Sequence, residues 1–294
     1  MQKRVDHVTP KATRPDRVVA SPDACRDAIL EVIAGAATDI SLALFRCNDK
    51  EIFRALKHAC ARGVTVTALV TARADGSTKK LEKLRQALLD AGARVTVYAD
   101  PVVKYHAKYL VADEGPAIVA SLNFTKKCFK RTLDAMVITW DPAVVSGLRA
   151  LTAADREARP LPASVSPRLV VGPEKARTQL MDLLRGAVSS IRLLDAKLSD
   201  PALVALLAER RASGVHVEVL DRKKYGDLKS HGKVCLIDDR LAVVGGLAMS
   251  ALSLDFRREV AIIVDQRDAV TEVRAFLDAI VARSAGGPEA ARPG

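Results

Sequence analysis

Two short stretches decide how this chain is read: Tyr105-His106-Ala107-Lys108-Tyr109-Leu110-Val111-Ala112-Asp113 and, 125 residues on, Ser230-His231-Gly232-Lys233-Val234-Cys235-Leu236-Ile237-Asp238. Each places a His-x-Lys pair at the head of a strand-like apolar run and an aspartate seven positions after its histidine. The parallel extends further, because Asp134 and Glu259 each lie 28 positions after His106 and His231 and just before another apolar run. One shared spacing is an easy coincidence; three together point to a duplication.

The duplication can be followed towards the N-terminus. Cys25 to Ala34 carries apolar residues at helical spacing, Asp39 to Phe45 reads as a strand, Glu51 to Arg62 as an amphipathic helix ended by Gly63, and Val64 to Val70 as a buried strand. The same order returns as helix Gln179 to Gly186, strand Ser190 to Leu194, helix Pro201 to Ala212 and strand Gly214 to Leu220. Gly35-Ala36 and Gly63-Val64 map onto Gly186-Ala187 and Gly214-Val215 at an offset of 151, which falls to 125 at the histidines. The second copy therefore lacks about 26 residues, the helix Lys79 to Asp90 and the strand Arg94 to Tyr98. Alternating helices and strands predict an α/β fold with mixed sheets. The expected organisation is a mobile basic arm over 1–17, a first repeat over 18–157, a Pro-rich joint over 158–167, a second repeat over 168–284 and a disordered tail over 285–294.

Two imidazoles facing one pocket can cleave a phosphodiester, one as nucleophile and the other as proton donor to the leaving oxygen. A lysine two positions on shares the strand face of its histidine, so Lys108 and Lys233 can stabilise phosphoryl charge. Asp134 and Glu259 are the candidates to orient the imidazoles. Asp113 and Asp238 each open a turn and are expected to fix it. Ser121 and Asn123 can donate hydrogen bonds to phosphate, with Thr125 supporting their turn. His7, His58 and His216 lack this context. A zinc site is disfavoured, since lysine is a poor ligand and the cysteines are not clustered.

These residues resemble the phospholipase D superfamily, whose motif runs His-x-Lys, four residues, Asp, six residues, then Gly-Ser/Gly-x-Asn. The first copy fits with His106, Lys108, Asp113 and Ala120-Ser121-Leu122-Asn123, departing at Ala120; the second fits with His231, Lys233, Asp238 and Gly245-Gly246, but Ala248 replaces the asparagine. The resemblance implies two tandem α/β repeats forming a pseudo-twofold, bilobed unit with the active site at their interface. It also implies a metal-independent, two-step reaction through a phosphohistidine, without cofactor. By family analogy His106 is the nucleophile and His231 the acid, an order that the residues themselves leave open.

The 294 residues carry a formal charge of +11, which suggests an anionic partner, nucleic acid or lipid surface. The basic clusters Lys126-Lys127 with Lys130-Arg131, and Arg222 to Lys229, are candidates to rim the pocket. Ser253-Leu254-Asp255-Phe256-Arg257-Arg258-Glu259 resembles the corresponding stretch of bacterial cardiolipin synthase-like members and favours phospholipid over nucleic acid. A nuclease, or an inactive scaffold suggested by Ala248, are the alternatives. No apolar stretch approaches the roughly 20 residues of a membrane span, so any membrane contact is expected to be peripheral. The first residues lack a secretory apolar core, and five scattered cysteines read as reduced thiols, so the expected compartment is the cytoplasm.

Overall fold

The computed structural model describes residues 14–73, 78–163 and 165–285. The first half runs β1 (Arg17–Val19), α1 (Pro22–Gly35), β2 (Asp39–Leu44), α2 (Lys50–Ala61), β3 (Thr65–Thr71), α3 (Thr78–Asp90), β4 (Arg94–Tyr98), β5 (Lys104–Tyr105), β6 (Lys108–Ala112), β7 (Ala117–Ala120), α4 (Cys128–Arg131), β8 (Thr132–Leu133), β9 (Met136–Thr139) and α5 (Pro142–Arg156). The second runs β10 (Leu169–Val171), α6 (Ala176–Arg185), β11 (Ser190–Leu194), α7 (Pro201–Ala212), β12 (His216–Leu220), β13 (Lys224–Tyr225), β14 (Leu228–Ser230), β15 (Val234–Ile237), β16 (Leu241–Gly245), α8 (Ala251–Phe256), β17 (Arg257–Arg258), β18 (Val260–Val264) and α9 (Arg267–Ala285).

Each half builds a mixed sheet, in the order β1-β9-β7-β6-β2-β3-β4 and β10-β18-β16-β15-β11-β12. The two orders match strand for strand except for β4, which sits at one edge and, with α3, has no counterpart. Local chemistry repeats as well. Asp49 caps α2 by accepting from the backbone N–H of Glu51 and Ile52, and Asp200, 151 residues on, caps α7 by accepting from Leu203. Both helices end on a glycine at positive φ, +91° at Gly63 and +88° at Gly214, where a side chain would be strained.

The sheets face each other across one shared core. Val111, Val119 and Val137 from the first sheet and Leu236, Val244 and Ile262 from the second belong to one buried cluster. Val144, Val145 and Leu148 on α5, and their equivalents Ala269, Val270 and Val273 on α9, complete that cluster. Each sheet's outer face is covered by its own helices in a separate cluster. The joint contributes Val165 to the shared core, which anchors it between the lobes.

Most of the expected N-terminal arm, with His7, and most of the expected tail lie outside the described residues. The end of the arm is fixed rather than mobile. Arg17 begins β1 on the sheet edge, and buried Asp16 pairs with Arg168 at the start of the second half. The last helix extends through Ala285 because Val270, Val273, Leu277 and Ile280 keep helical spacing against the core.

Two small sheets stitch the halves together. β5 pairs in parallel with β17, with Lys104 opposite Arg257 and Tyr105 opposite Arg258. β14 pairs in parallel with β8, with Lys229 opposite Thr132 and Ser230 opposite Leu133. The strand leading into each histidine is thus bonded to the strand leading into the other half's downstream acid. The backbone continues the pairing: His106 N–H donates to the Arg258 carbonyl at 2.9 Å, and Gly232 N–H donates to the Leu133 carbonyl at 2.7 Å.

Candidate active site

These paired strands deliver each histidine to the acid of the opposite repeat. His231 Nδ1 lies 2.8 Å from Asp134 Oδ1, and His106 Nδ1 lies 2.6 Å from Glu259 Oε1. The sequence nominates both acids but leaves their partners open; the crossed pairing follows from the register of β5 with β17 and of β14 with β8. His106 and His231 line one cleft of about 710 Å³, together with Lys233, Asn123, Phe45, Arg46 and Lys197 among others. Asp134 and Glu259 are buried behind the rings.

The two pairs differ in their surroundings. Asp134 also accepts hydrogen bonds from Ser121 Oγ at 2.7 Å and Thr132 Oγ1 at 2.6 Å. At an offset of 125 those hydroxyls become Gly246 and Arg257. Glu259 is accordingly fully buried with no hydroxyl donor, and its nearest partners are the His106 ring and the Arg257 guanidinium, whose Nη1 is 3.7 Å away. Burial alone would raise the Glu259 pKa, but His106, Lys108 and Lys233 outweigh it and bring it to about 2. Asp134 is likewise held below the usual range, the cost of burial being exceeded by His231 and then by Lys233 and Thr132.

Both histidines are biased towards the neutral form. Burial, and next the Lys108 charge, lower the His106 pKa to about 3 against a smaller opposing pull from Glu259. For His231 the largest influence is Asp134, which raises the pKa, but burial and Lys233 together lower it. The Glu259 carboxylate 2.6 Å from Nδ1 favours a proton on that nitrogen, which leaves His106 Nε2 with the lone pair. Lys108 Nζ also approaches the same Nδ1 at 3.0 Å and donates to the His106 carbonyl. Phe45 packs at a 53° tilt against His106, with ring centroids 4.2 Å apart; its repeat equivalent is Ala196.

The lysines differ too. Lys233 lines the cleft and bonds the His231 carbonyl, whereas Lys108 is sealed beneath His106 and is not among the cleft-lining side chains. Burial, then neighbouring Lys233 and Arg257 against the pull of Glu259, bring the Lys108 pKa to about 7. Ser121 departs from its expected role as a phosphate donor. It is fully buried, gives its one hydroxyl proton to Asp134 and accepts from Ala135 N–H. Asn123 borders the cleft with its Oδ1 unpaired, and Thr125 Oγ1 accepts from Cys128 N–H in the following turn.

Asp113 and Asp238 stand away from the cleft, at φ +46° and +54°. Asp113 accepts from the N–H groups of Ala37, Thr38 and Asp39, and Asp238 from those of Val188, Ser189 and Ser190. Each therefore ties the turn after its lysine strand to the start of the neighbouring antiparallel strand, β2 or β11. Gly245 lets β16 lie close against β18, since a Cβ there would lie 2.4 Å from Ala261 Cα. Gly246 leaves room beside Glu259, where an added Cβ would lie 3.6 Å from Oε2.

Arg46 and Lys197 were missed by sequence reasoning. They are repeat equivalents at an offset of 151, each just beyond the end of the strand that pairs with a lysine strand, and extending the repeat alignment by two residues would have found them. Buried Asp195 was also missed; it accepts from Met249 N–H and Lys197 N–H and fixes the loop that carries Ala248. Ser250, the hydroxyl two residues beyond Ala248, is not among the cleft-lining residues. Of the basic clusters, Lys127 reaches the cleft, while Arg222 to Lys224 remain on the exposed surface.

One group of residues among those described brings metal-type ligand atoms together: Cys128, Asp134 and His231, all within 4.8 Å of one another. Asp134 is already engaged by three donors there, and Cys128 is a buried free thiol whose pKa is raised mainly by burial.

The sequence family described as "Cardiolipin synthase, PLD-like domain" matches residues 29–155. The first repeat, over residues 29–155, is therefore similar to the phospholipase D superfamily. Cardiolipin synthase A of Pseudomonas aeruginosa is 30% identical over 107 residues, 36% of this chain and 22% of that protein. The match thus spans about a fifth of that relative's length. Among solved structures, a polyphosphate kinase from Porphyromonas gingivalis superposes with a TM-score of 0.72 at 18% identity, covering 91% of this chain and 50% of that one. A phosphatidylserine synthase from Haemophilus influenzae gives 0.67 at 12% identity, covering 91% and 85%. At such identities the superpositions establish the two-lobed phospholipase D-like fold. Among the described residues, no helix is long and apolar enough to cross a membrane.

Proposed function

We propose that this chain is a metal-independent phosphodiesterase of the phospholipase D type that acts on phospholipids by hydrolysis or phosphatidyl transfer. The observation that carries the reading is the crossed arrangement of His106 with Glu259 and His231 with Asp134 around one cationic cleft. The resemblance of its first repeat to cardiolipin synthase supports the lipid substrate class.

In the first step Nε2 of neutral His106 attacks phosphorus, and the bond to the leaving alkoxide breaks as protonated His231 donates its Nε2 proton to that oxygen. Substrate phosphate, being anionic, favours the protonated form of His231 that free protein holds only weakly. In the second step a water or an alcohol gives its proton to His231 and attacks the phosphohistidine, which releases His106 with its lone pair restored. Glu259 and Asp134 hold the Nδ1 protons and ring orientations throughout. Lys233 and Asn123 contact the phosphoryl oxygens, while Lys108 adds its charge from behind His106. The assignment of nucleophile and acid rests on the lower His106 pKa and on Asp134 being the largest influence raising that of His231.

The test is incubation of the purified chain with mixed phospholipids and a primary alcohol in EDTA, with plasmid and single-stranded DNA in parallel. Formation of a phosphatidyl alcohol, lost in His106→Asn and His231→Asn, is the expected result. Chelator-resistant nicking of DNA without lipid turnover would replace the lipid reading with a nuclease. No turnover and no trapped phosphohistidine on either substrate would leave a binding protein.

A further inference from the structure

The pseudo-twofold relation makes α4 and α8 counterparts: α4 leads into β8 beside the His231 pair, and α8 leads into β17 beside the His106 pair. Their exposed residues are of opposite character. Lys126, Lys127, Lys130 and Arg131 at α4 correspond, at an offset of 125, to Ala251, Leu252, Asp255 and Phe256 at α8. On the α4 side, those four cations and Lys229 line a groove of about 420 Å³, and Lys127 also lines the central cleft. On the α8 side, Leu252 and Phe256 are one helical turn apart and remain 55% and 48% exposed. Val102, 66% exposed, stands two residues before Lys104, the partner of Arg257 in the β5–β17 pairing. The single acid in this set, Asp255, is ion-paired with Arg177.

A water-soluble phosphodiester needs no apolar rim at the cleft. A bilayer surface calls for both elements, cations for the headgroups and large apolar side chains for the acyl boundary. We propose that the α4 groove and the α8 side chains Leu252 and Phe256, with Val102, form a landing surface for an anionic phospholipid bilayer, which presents its headgroups to the cleft between them. The choice of occupant rests on the reading of the substrate as a phospholipid, and it is supported by the charge complementarity between five clustered cations and an anionic leaflet. A nucleic acid would use the cations but has no use for the three apolar side chains.

Co-sedimentation of the full chain with sucrose-loaded vesicles measures docking without turnover. Expected is binding to phosphatidylcholine vesicles containing phosphatidylglycerol and weak binding to phosphatidylcholine alone. Leu252→Ser with Phe256→Ser should weaken binding to the anionic vesicles about tenfold, and Lys126→Glu with Lys130→Glu at least as much while flattening its salt dependence. All four positions are solvent-exposed, and circular dichroism checks that each variant is folded. Absence of binding to anionic vesicles, or wild-type binding by the folded Leu252/Phe256 variant, would overturn the landing surface. So would duplex DNA displacing the chain from vesicles at equal phosphate concentration. Assaying turnover of the wild-type chain on the same vesicles separates the two proposals, because wild-type docking without product formation sinks the chemistry and leaves the surface standing.

Discussion

The two halves of the site share one plan and solve its electrostatics differently. Around Asp134, a buried carboxylate is satisfied by two hydroxyls and an imidazole. Around Glu259, the hydroxyl positions hold Gly246 and Arg257, so the carboxylate is balanced by cations instead. Hydroxyl bonds orient an acid in a neutral frame, whereas cations tie its charge to the protonation of its neighbours. The His231 half is therefore built to hold a geometry, and the His106 half to hold an imidazole neutral.

The largest effect that can break this contrast is removal of either imidazole. His106→Ala and His231→Ala should each reduce kcat by roughly ten-thousandfold or more, and acid-quench labelling should find the phosphoenzyme absent in the first. A covalent adduct on His231 in the His106 variant would reverse the assigned roles.

The acids come next. Asp134→Asn and Glu259→Gln should both lower kcat roughly a hundred- to a thousandfold, but their stabilities should diverge. Asp134→Asn disturbs a satisfied network and should cost about 1–3 kcal/mol in denaturant unfolding. Glu259→Gln removes a buried charge that has no hydroxyl partners and should cost less. Equal losses would erase the distinction between the two environments.

Proton linkage gives a smaller test. With a Lys108 pKa of about 7, kcat/KM should fall as pH rises through that region, because the cation is lost. Glu259 is the larger of the two carboxylates that raise this pKa, the other being Asp134, so Glu259→Gln should move the alkaline limb to lower pH. For stability the sign is set by depressed values. His106, at about 3 against an ordinary 6.5, and Glu259, at about 2 against 4.5, both gain protons more readily in the unfolded chain. Their contributions are complete above those ordinary values and are lost as pH falls through the folded ones, so melting temperature should decline below about pH 6.5 and less steeply in His106→Ala/Glu259→Gln.

The smallest effect is the most direct comparison. Gly246→Ser should place a hydroxyl beside Glu259 as Ser121 does for Asp134, since the added Cβ meets only ordinary van der Waals neighbours. Activity should change by no more than a few fold, and the alkaline limb should weaken or shift as the carboxylate turns partly from cations to a neutral donor. An unchanged pH profile would show that the hydroxyl leaves the electrostatics untouched.

Much of this was legible in the residues. The long repeated helices and strands declare themselves by periodicity, and the missing helix and strand of the second copy show as a drop in offset. Strands β1, β5, β8, β10, β13, β14 and β17 are two or three residues long, too short for any alternation to register. The crossed pairing was hidden for the same reason: it depends on which strand meets which across the molecule, and no local pattern encodes that. Ser121 was misassigned because a hydroxyl beside a phosphate motif suits either a substrate or a neighbouring acid. Only the burial of Asp134 behind His231 decides between them.

The exchange of short strands across the middle has one more consequence. Neither repeat owns a complete histidine–acid pair, so half the chain on its own would carry an imidazole without its acid and a frayed edge where the other half's strand belongs. The covalent joint over 158–167 then acts as a concentration device, holding complementary half-sites together at the effective molarity of a short tether. Cutting it should not abolish activity outright but make it depend on protein concentration, as the two pieces find each other on dilution or fail to.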